Sequence, residues 1–130
     1  MKYLFFIVVL ILISCEDNGI GDGTILSGTY TGKFNRSNMY GKYPQSNVTL
    51  TFSESGFSGE SDMIKYPAIC NGTYTISGNE IDFSNGCFWT AEFDWSYILS
   101  GKFEFIVEGN QLEMVRILNG NTDRYTLTRQ

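Results

Sequence analysis

The stretch from Cys70 to Cys87 constrains this chain more than any other. Two short runs of β-formers flank Gly78-Asn79, a glycine-first pair that suits a two-residue hairpin turn. With the turn there, Ser77 faces Glu80, Ile76 faces Ile81 and Tyr74 faces Phe83, and the same register sets Cys70 opposite Cys87. Counting outward from a hydrogen-bonded Ser77–Glu80 pair makes the cysteines a non-hydrogen-bonded pair. Their Cα atoms would then lie about 4.5 Å apart, inside the range a disulfide accepts. The expectation is a disulfide-stapled antiparallel hairpin whose bridge shares the inner face of Tyr74, Ile76, Ile81 and Phe83.

The flanking sequence keeps the same period of two, broken by turn residues every eight to twelve positions. Leu26 to Phe34 reads as a strand with Gly28 and Gly32 beside inward aromatics, a pattern suited to tight bends. Asn35 to Ser46 reads as a loop or short turn of helix, with Met39, Tyr40 and Tyr43 placed to cover a barrel mouth. Asn47 to Ser53 and Phe57 to Glu60 form strands about the Glu54-Ser55-Gly56 turn, and Pro67 makes Ser61 to Ala68 a poor central strand. Phe88 to Leu99 alternates like a strand yet also fits a helical stripe; the alternation favours a strand followed by a bend. A second hairpin turns at Gly109-Asn110, pairing Val107 with Leu112, Phe105 with Met114 and Phe103 with Arg116. Arg124 to Arg129 closes the series. About eight short antiparallel strands joined by sequential hairpins predict an all-β, small up-and-down barrel, because closure removes exposed edges. A flattened sandwich is the alternative.

The N-terminus has a separate logic. Lys2 precedes Tyr3 to Ile13, an uncharged apolar run too short for a bilayer span, which needs about 20 residues as a helix. It has the form of a secretory signal, and Leu12-Ile13-Ser14-Cys15 resembles the lipobox of bacterial lipoproteins. The resemblance implies residues 1–14 as a lipoprotein signal peptide, Cys15 as a diacylglyceryl-modified and N-acylated mature terminus, and residues 15–25 as lipidated cysteine plus flexible tether. The barrel domain then spans 26–130. Glu16-Asp17-Asn18 directly after the cysteine resembles the export signal of Bacteroidetes surface lipoproteins. That implies an outer-membrane address, on the periplasmic face or the cell surface.

Chemistry is limited by what is missing. The chain contains no histidine, which excludes Ser-His-Asp and Cys-His catalysis and histidine metal ligation. Without Lys2 the chain carries 8 basic against 14 acidic residues, a net charge of −6, and lacks the basic patch nucleic acid requires. No cofactor and no metal are expected. With Cys15 consumed by lipid, Cys70 and Cys87 remain as an even pair in an oxidising compartment. Trp89, Trp95 and Tyr97 cluster around Asp94. They either line a site for an apolar or planar ligand or fill the core of a small barrel, and the short chain favours filling. Arg116, on the apolar register opposite Phe103, either anchors an anionic ligand inside or sits at the barrel end beside a carboxylate or water.

The run from Cys70 through Phe83, the later Gly109-Asn-Gln-Leu-Glu-Met and the closing Tyr125-Thr-Leu-Thr resemble the META-type domains of envelope lipoproteins. They equally resemble the small lipocalin-like (calycin) barrels of Bacteroidetes lipoproteins. The resemblance covers roughly residues 25 to 130 and implies the barrel fold without supplying catalytic residues. The expected function is therefore a non-enzymatic, lipid-anchored envelope module that binds a small apolar or planar ligand or serves envelope maintenance. The alternative is a protein-binding module, such as an inhibitor of a cationic hydrolase of host or envelope. Lysozyme inhibitors of this build use a Ser-Gly-x-x-Tyr motif, and Ser27-Gly-Thr-Tyr30 is one residue short of it.

Overall fold

The computed structural model describes residues 26–90 and 92–130; the expected signal peptide, lipidated Cys15 and tether fall in residues 1–25, outside the described residues. Nine strands form one antiparallel sheet: β1 (Gly28–Asn38), β2 (Gly41–Lys42), β3 (Ser46–Phe52), β4 (Gly56–Ser61), β5 (Asn71–Ser77), β6 (Glu80–Asn85), β7 (Gly101–Glu108), β8 (Gln111–Leu118) and β9 (Asn121–Arg129). Apart from β2, a two-residue flap on the end of β1, every strand pairs with its sequence neighbours, and β1 pairs with β9 to close the ring. The result is a closed eight-strand up-and-down barrel. Closure is complete because β1 is long enough to pair with β3 over Gly28–Phe34 and with β9 over Tyr30–Ser37.

Both hairpins adopt the register read from the sequence: Ile76 opposite Ile81 and Tyr74 opposite Phe83, then Val107 opposite Leu112 and Phe105 opposite Met114. Local rules suffice here, because a two-residue turn fixes register and an apolar face fixes which side points inward. Close approach between strands adds a second constraint. A Cβ on Gly32 would stand 2.0 Å from the Thr126 carbonyl oxygen, and one on Gly72 the same distance from that of Ser84. Only glycine lets the wall coil that tightly at these two points.

The lumen is filled by side chains. Ring contacts run across it from Tyr74 to Phe52 (centroids 5.3 Å apart), Phe83 (6.2 Å), Phe103 (5.8 Å), Tyr125 (5.7 Å), Phe34 (4.9 Å) and Tyr66 (5.3 Å). Leu50, Ile81, Leu112 and Met114 occupy the space between them without exposure. Each fully buried large apolar side chain stabilises the fold by about 1.5–3 kcal/mol, and edge-to-face ring pairs add about 0.5–1.5 kcal/mol. Eight strands give a bore that side chains of this size can fill, and here they do.

Three expectations are corrected. Residues 35–38 continue β1 rather than opening a loop, and Met39 and Tyr40 at its tip are exposed instead of covering the barrel mouth. The segment 88–99 contains no strand among its described residues. It runs irregularly into a single 3-10 turn, Trp95–Tyr97, capped by the Asp94 carboxylate accepting from the Ser96 N–H at 2.9 Å. That turn is pinned by long-range contacts, which is why local alternation misleads: Ala68 N–H donates to the Tyr97 carbonyl and Leu99 N–H to the Ala68 carbonyl.

The third correction concerns the disulfide. Cys70 and Cys87 are bonded, but their Cα atoms are 6.3 Å apart and they lie beyond the β5–β6 ladder, which ends at Gly72 opposite Asn85. The hairpin register runs one step further, with Gly86 N–H donating to the Asn71 carbonyl at 2.8 Å, and the Asn85 side chain then braces Cys87, donating to its carbonyl (2.8 Å) and accepting from its N–H (3.2 Å). On the other side, the Cys70 carbonyl accepts from Gly59 of β4. The bridge is half-buried at the rim, outside the buried core cluster.

Candidate functional site

The two ends of the barrel differ sharply. One end carries the tight turns at 53–55, 78–79 and 109–110, and Leu26 is buried there as the chain enters β1. The opposite end carries the long connections 39–45, 62–70 and 86–100, together with the Asn119-Gly120 turn. All four residues singled out in the sequence as ligand candidates belong to this loop end, but they divide between two constellations.

The first is a buried charge knot. Arg36 of β1, Asp123 of β9 and Arg116 of β8 stand side by side in one row across three strands. Asp123 is 2% exposed and accepts from Arg36 Nε at 2.5 Å, Arg36 Nη2 at 2.8 Å and Arg116 Nη2 at 3.2 Å. The two guanidinium groups then hold the 3-10 turn. Both donate to the Ser96 carbonyl, at 3.2 Å from Arg36 and 2.9 Å from Arg116, while Arg36 also reaches Ser96 Oγ (2.8 Å) and Arg116 the Ser100 carbonyl (2.6 Å). Aromatic faces complete the packing, with Arg36 Cζ 3.9 Å from the Tyr97 ring centroid and Arg116 Cζ 4.5 Å from that of Phe103.

Electrostatics follow from this geometry. Burial would lower the pKa of Arg36, but its hydrogen bonds to Asp123 and the charge of that carboxylate outweigh burial, so the guanidinium is held more firmly protonated than usual. Burial raises the Tyr97 phenol, and the neighbouring Arg36 charge only partly offsets it. Asp94, exposed on the flank 3.7 Å from Arg36, is held below the usual carboxylate range, chiefly by hydrogen bonds from Ser96. An aspartate clamped between two arginines is a structural counter-ion: it accepts three N–H bonds, and removing its charge would strand two cations. Arg36 and Asp123 went unnoticed in the sequence, although one signal was present. Each sits two residues from an inward aromatic, Phe34 and Tyr125, and therefore points inward by strand parity.

The second constellation is a surface groove of about 440 Å³, lined by Asn85, Cys87, Phe88, Trp89, Trp95, Ile98 and Ser100. Phe88 is fully exposed and Trp95 is 55% exposed. The Trp95 indole N–H donates to the Thr90 carbonyl at 3.0 Å, fixing its ring, whereas the Trp89 N–H is buried without a partner. Trp89 packs edge-on against Phe93 (5.8 Å), and Phe93 in turn lies under the Lys65 ammonium (4.7 Å). The structure thus brings Trp89 and Trp95 together on the groove. Tyr97 turns inward against Phe34 and Tyr66, and Arg116 belongs to the knot, paired with Asp123 and not with a ligand. The disulfide roots the groove, since Cys87 is one of its walls.

Among the described residues, no group of three or more carboxylates and thiols is placed to hold a metal ion. Compared with protein-family models, with curated proteins and with solved structures, the chain finds no match.

Proposed function

We propose that this chain is a non-enzymatic, lipid-anchored module of the bacterial outer membrane, related to the small lipocalin-like lipoproteins. In this reading the filled barrel is a rigid support, and the groove at its loop end binds a small apolar or planar ligand. The observation that carries the reading is the placement of the tryptophans. The chain has two, and both line the groove, while the lumen is packed with other aromatics. Large aromatic side chains left at a concave surface, with few polar groups to orient an occupant, suit an apolar or planar guest.

The placement also supplies the test. Protein exported with its native signal is analysed by native mass spectrometry for a retained small molecule, and titrated with planar aromatic and apolar compounds while tryptophan emission is followed. Saturable emission changes that vanish in Trp95→Ala support the groove. A protein that carries no small molecule and whose emission no compound moves overturns it. The anchor is tested separately: Cys15→Ser should release the protein from membranes, and continued retention would refute lipidation.

A second reading, inhibition of a cationic hydrolase, draws on the outer wall of β6 and β7. Glu80 and Glu104 stand directly opposite one another there, a like-charge pair that Lys102, its Nζ 3.5 Å from Glu80, offsets only at the Glu80 side. Capture of a basic hydrolase by the wild type but not by Glu80→Gln/Glu104→Gln would favour this reading over the groove.

A further inference from the structure

Ten large apolar side chains are exposed among the described residues, and all but Ile106 sit at the loop end. They project from separate connections: Tyr40 from the β1–β2 tip, Ile64 from the loop after β4, Phe88 from the loop after β6 and Ile117 from the end of β8. Tyr40, Ile64 and Phe88 are 89%, 93% and 105% exposed, so they support nothing in the fold beneath them. Scattered exposed apolar residues need no explanation, but their confinement to one end of a barrel does. We propose that this crown docks shallowly into the interface of a zwitterionic lipid bilayer.

Charge supports that occupant. The charges of the crown loops, exposed Asp62, Glu92, Asp94 and Lys42 with half-buried Lys65, nearly cancel. Toward the other end Glu54, Glu80 and Glu108 outnumber Arg129, and that acidic surplus would be repelled by any anionic surface. The loop end is therefore the face a bilayer tolerates, and a zwitterionic bilayer suits it better than an anionic one. Shape agrees. Prongs on four separate connections fit a flat, deformable surface without a matching cavity, whereas a protein partner would need a socket for each.

Reach supports it as well. The described chain begins at the turn end, so an anchor at Cys15 attaches to the pole opposite the crown. Ten residues separate Cys15 from Leu26 and span at most about 33–36 Å. The 11 residues of β1, tilted as barrel strands are, rise only about 28 Å. A tether of that length can return along the wall and lay the crown on the leaflet that holds its own anchor. Crown docking rests on exposure and charge; the reach argument, and flotation of a crown-substituted protein, depend on lipidation.

Both tryptophans lie in the loop after β6, which makes the test direct. The exported protein is reconstituted in phosphatidylcholine vesicles with plain or chain-brominated lipid, and emission is compared. Insertion to the headgroup/acyl boundary should quench emission roughly twofold in brominated vesicles. Tyr40→Ser/Ile64→Ser/Phe88→Ser should abolish the quenching while the protein still floats with the vesicles. Equal emission of the wild type in both lipids overturns the proposal, as does quenching that survives the triple substitution. An emission shift that depends on protein concentration and not on lipid also overturns it, in favour of a second copy of the chain. Failure of the groove reading stays distinct: a groove ligand shifts emission in lipid-free solution, and bromine quenching requires lipid contact.

Discussion

Replacing Asp123 with alanine isolates the contribution of the charge knot. The carboxylate is 2% exposed and accepts three N–H bonds, two of them from Arg36, itself 3% exposed. Without it, Arg36 keeps only neutral partners in its immediate shell, namely Ser96 and the Tyr97 ring, with Asp94 3.7 Å away on the solvent side. Breaking a buried ion pair from one side costs about 3–5 kcal/mol, because the remaining charge is left uncompensated. Arg116 adds less, since its side chain is 13% exposed and retains the Ser96 and Ser100 carbonyls. Against a total stability of about 5–15 kcal/mol, a loss of this size is readily measured. In urea unfolding followed by tryptophan emission, the midpoint should fall while the slope stays unchanged. Folded-state emission should move as well, because the knot holds Ser96 and Trp95 is its neighbour. Asp123→Asn keeps the shape but not the charge and should lie close to Asp123→Ala. A cost below about 1 kcal/mol, the scale of an exposed pair, would refute the reasoning. Arg36 would then be finding water or Asp94, and the knot would not be what holds the loop.

Three further outcomes are expected. Cys70→Ala/Cys87→Ala should lose about 3 kcal/mol in the same unfolding assay, from the loop that the bridge closes over a separation of 17 residues; unchanged stability, or two free thiols in exported protein, would refute the bridge. Gly32→Ala should cost about 1–3 kcal/mol by overpacking, because its methyl would meet the Thr126 carbonyl; an unshifted thermal midpoint would mean that β1 and β9 do not approach that closely. The Asp94 cap should respond to acid. Its carboxyl titrates below the ordinary 3.8 when folded, so its contribution is complete above that pH and is lost as pH falls below it. Emission of the neighbouring Trp95 should therefore be flat down to about pH 4 and change below it, and Asp94→Asn should remove that change.

What could be read from the sequence, and what could not, divides along the barrel axis. The turn end obeys short-range rules: Gly78-Asn79 and Gly109-Asn110 fix registers, and alternation then assigns Tyr74, Phe83, Phe105 and Met114 to the lumen. The loop end obeys long-range ones. Near Trp95 in sequence only the Asp94 cap favours a 3-10 turn; two arginines from β1 and β8 hold it in place, with an aspartate from β9 between them. Arg36 and Asp123 are 87 residues apart, and no periodicity links them. The disulfide shows the boundary between the two regimes. Its pairing followed from hairpin register, which runs on through Gly86 opposite Asn71, but its Cα separation of 6.3 Å did not, and the Asn85 side chain bonded to both backbone groups of Cys87 had no signal in the alternation.

That division bears on where function resides. With the lumen of the described barrel filled by side chains, a ligand meets the outer surface, and the exposed aromatics of that surface gather at one end. There, the charge knot and the disulfide constrain a loop that local sequence would leave loose, and what the constrained loop presents is aromatic: Phe88, Trp89 and Trp95. Holding exposed aromatics in place with buried arginines places a costly polar device beneath an apolar surface. For stability alone, an apolar row at Arg36, Asp123 and Arg116 would serve as well or better, since buried pairs are often neutral or worse than apolar replacements of similar volume. The knot therefore separates the two explanations of the loop. Replacing all three residues with leucine or methionine should leave the barrel folded, and if the knot serves binding, it should release the 95–97 turn and weaken both ligand and bilayer contact. Retention of both contacts by that variant would reduce the knot to packing.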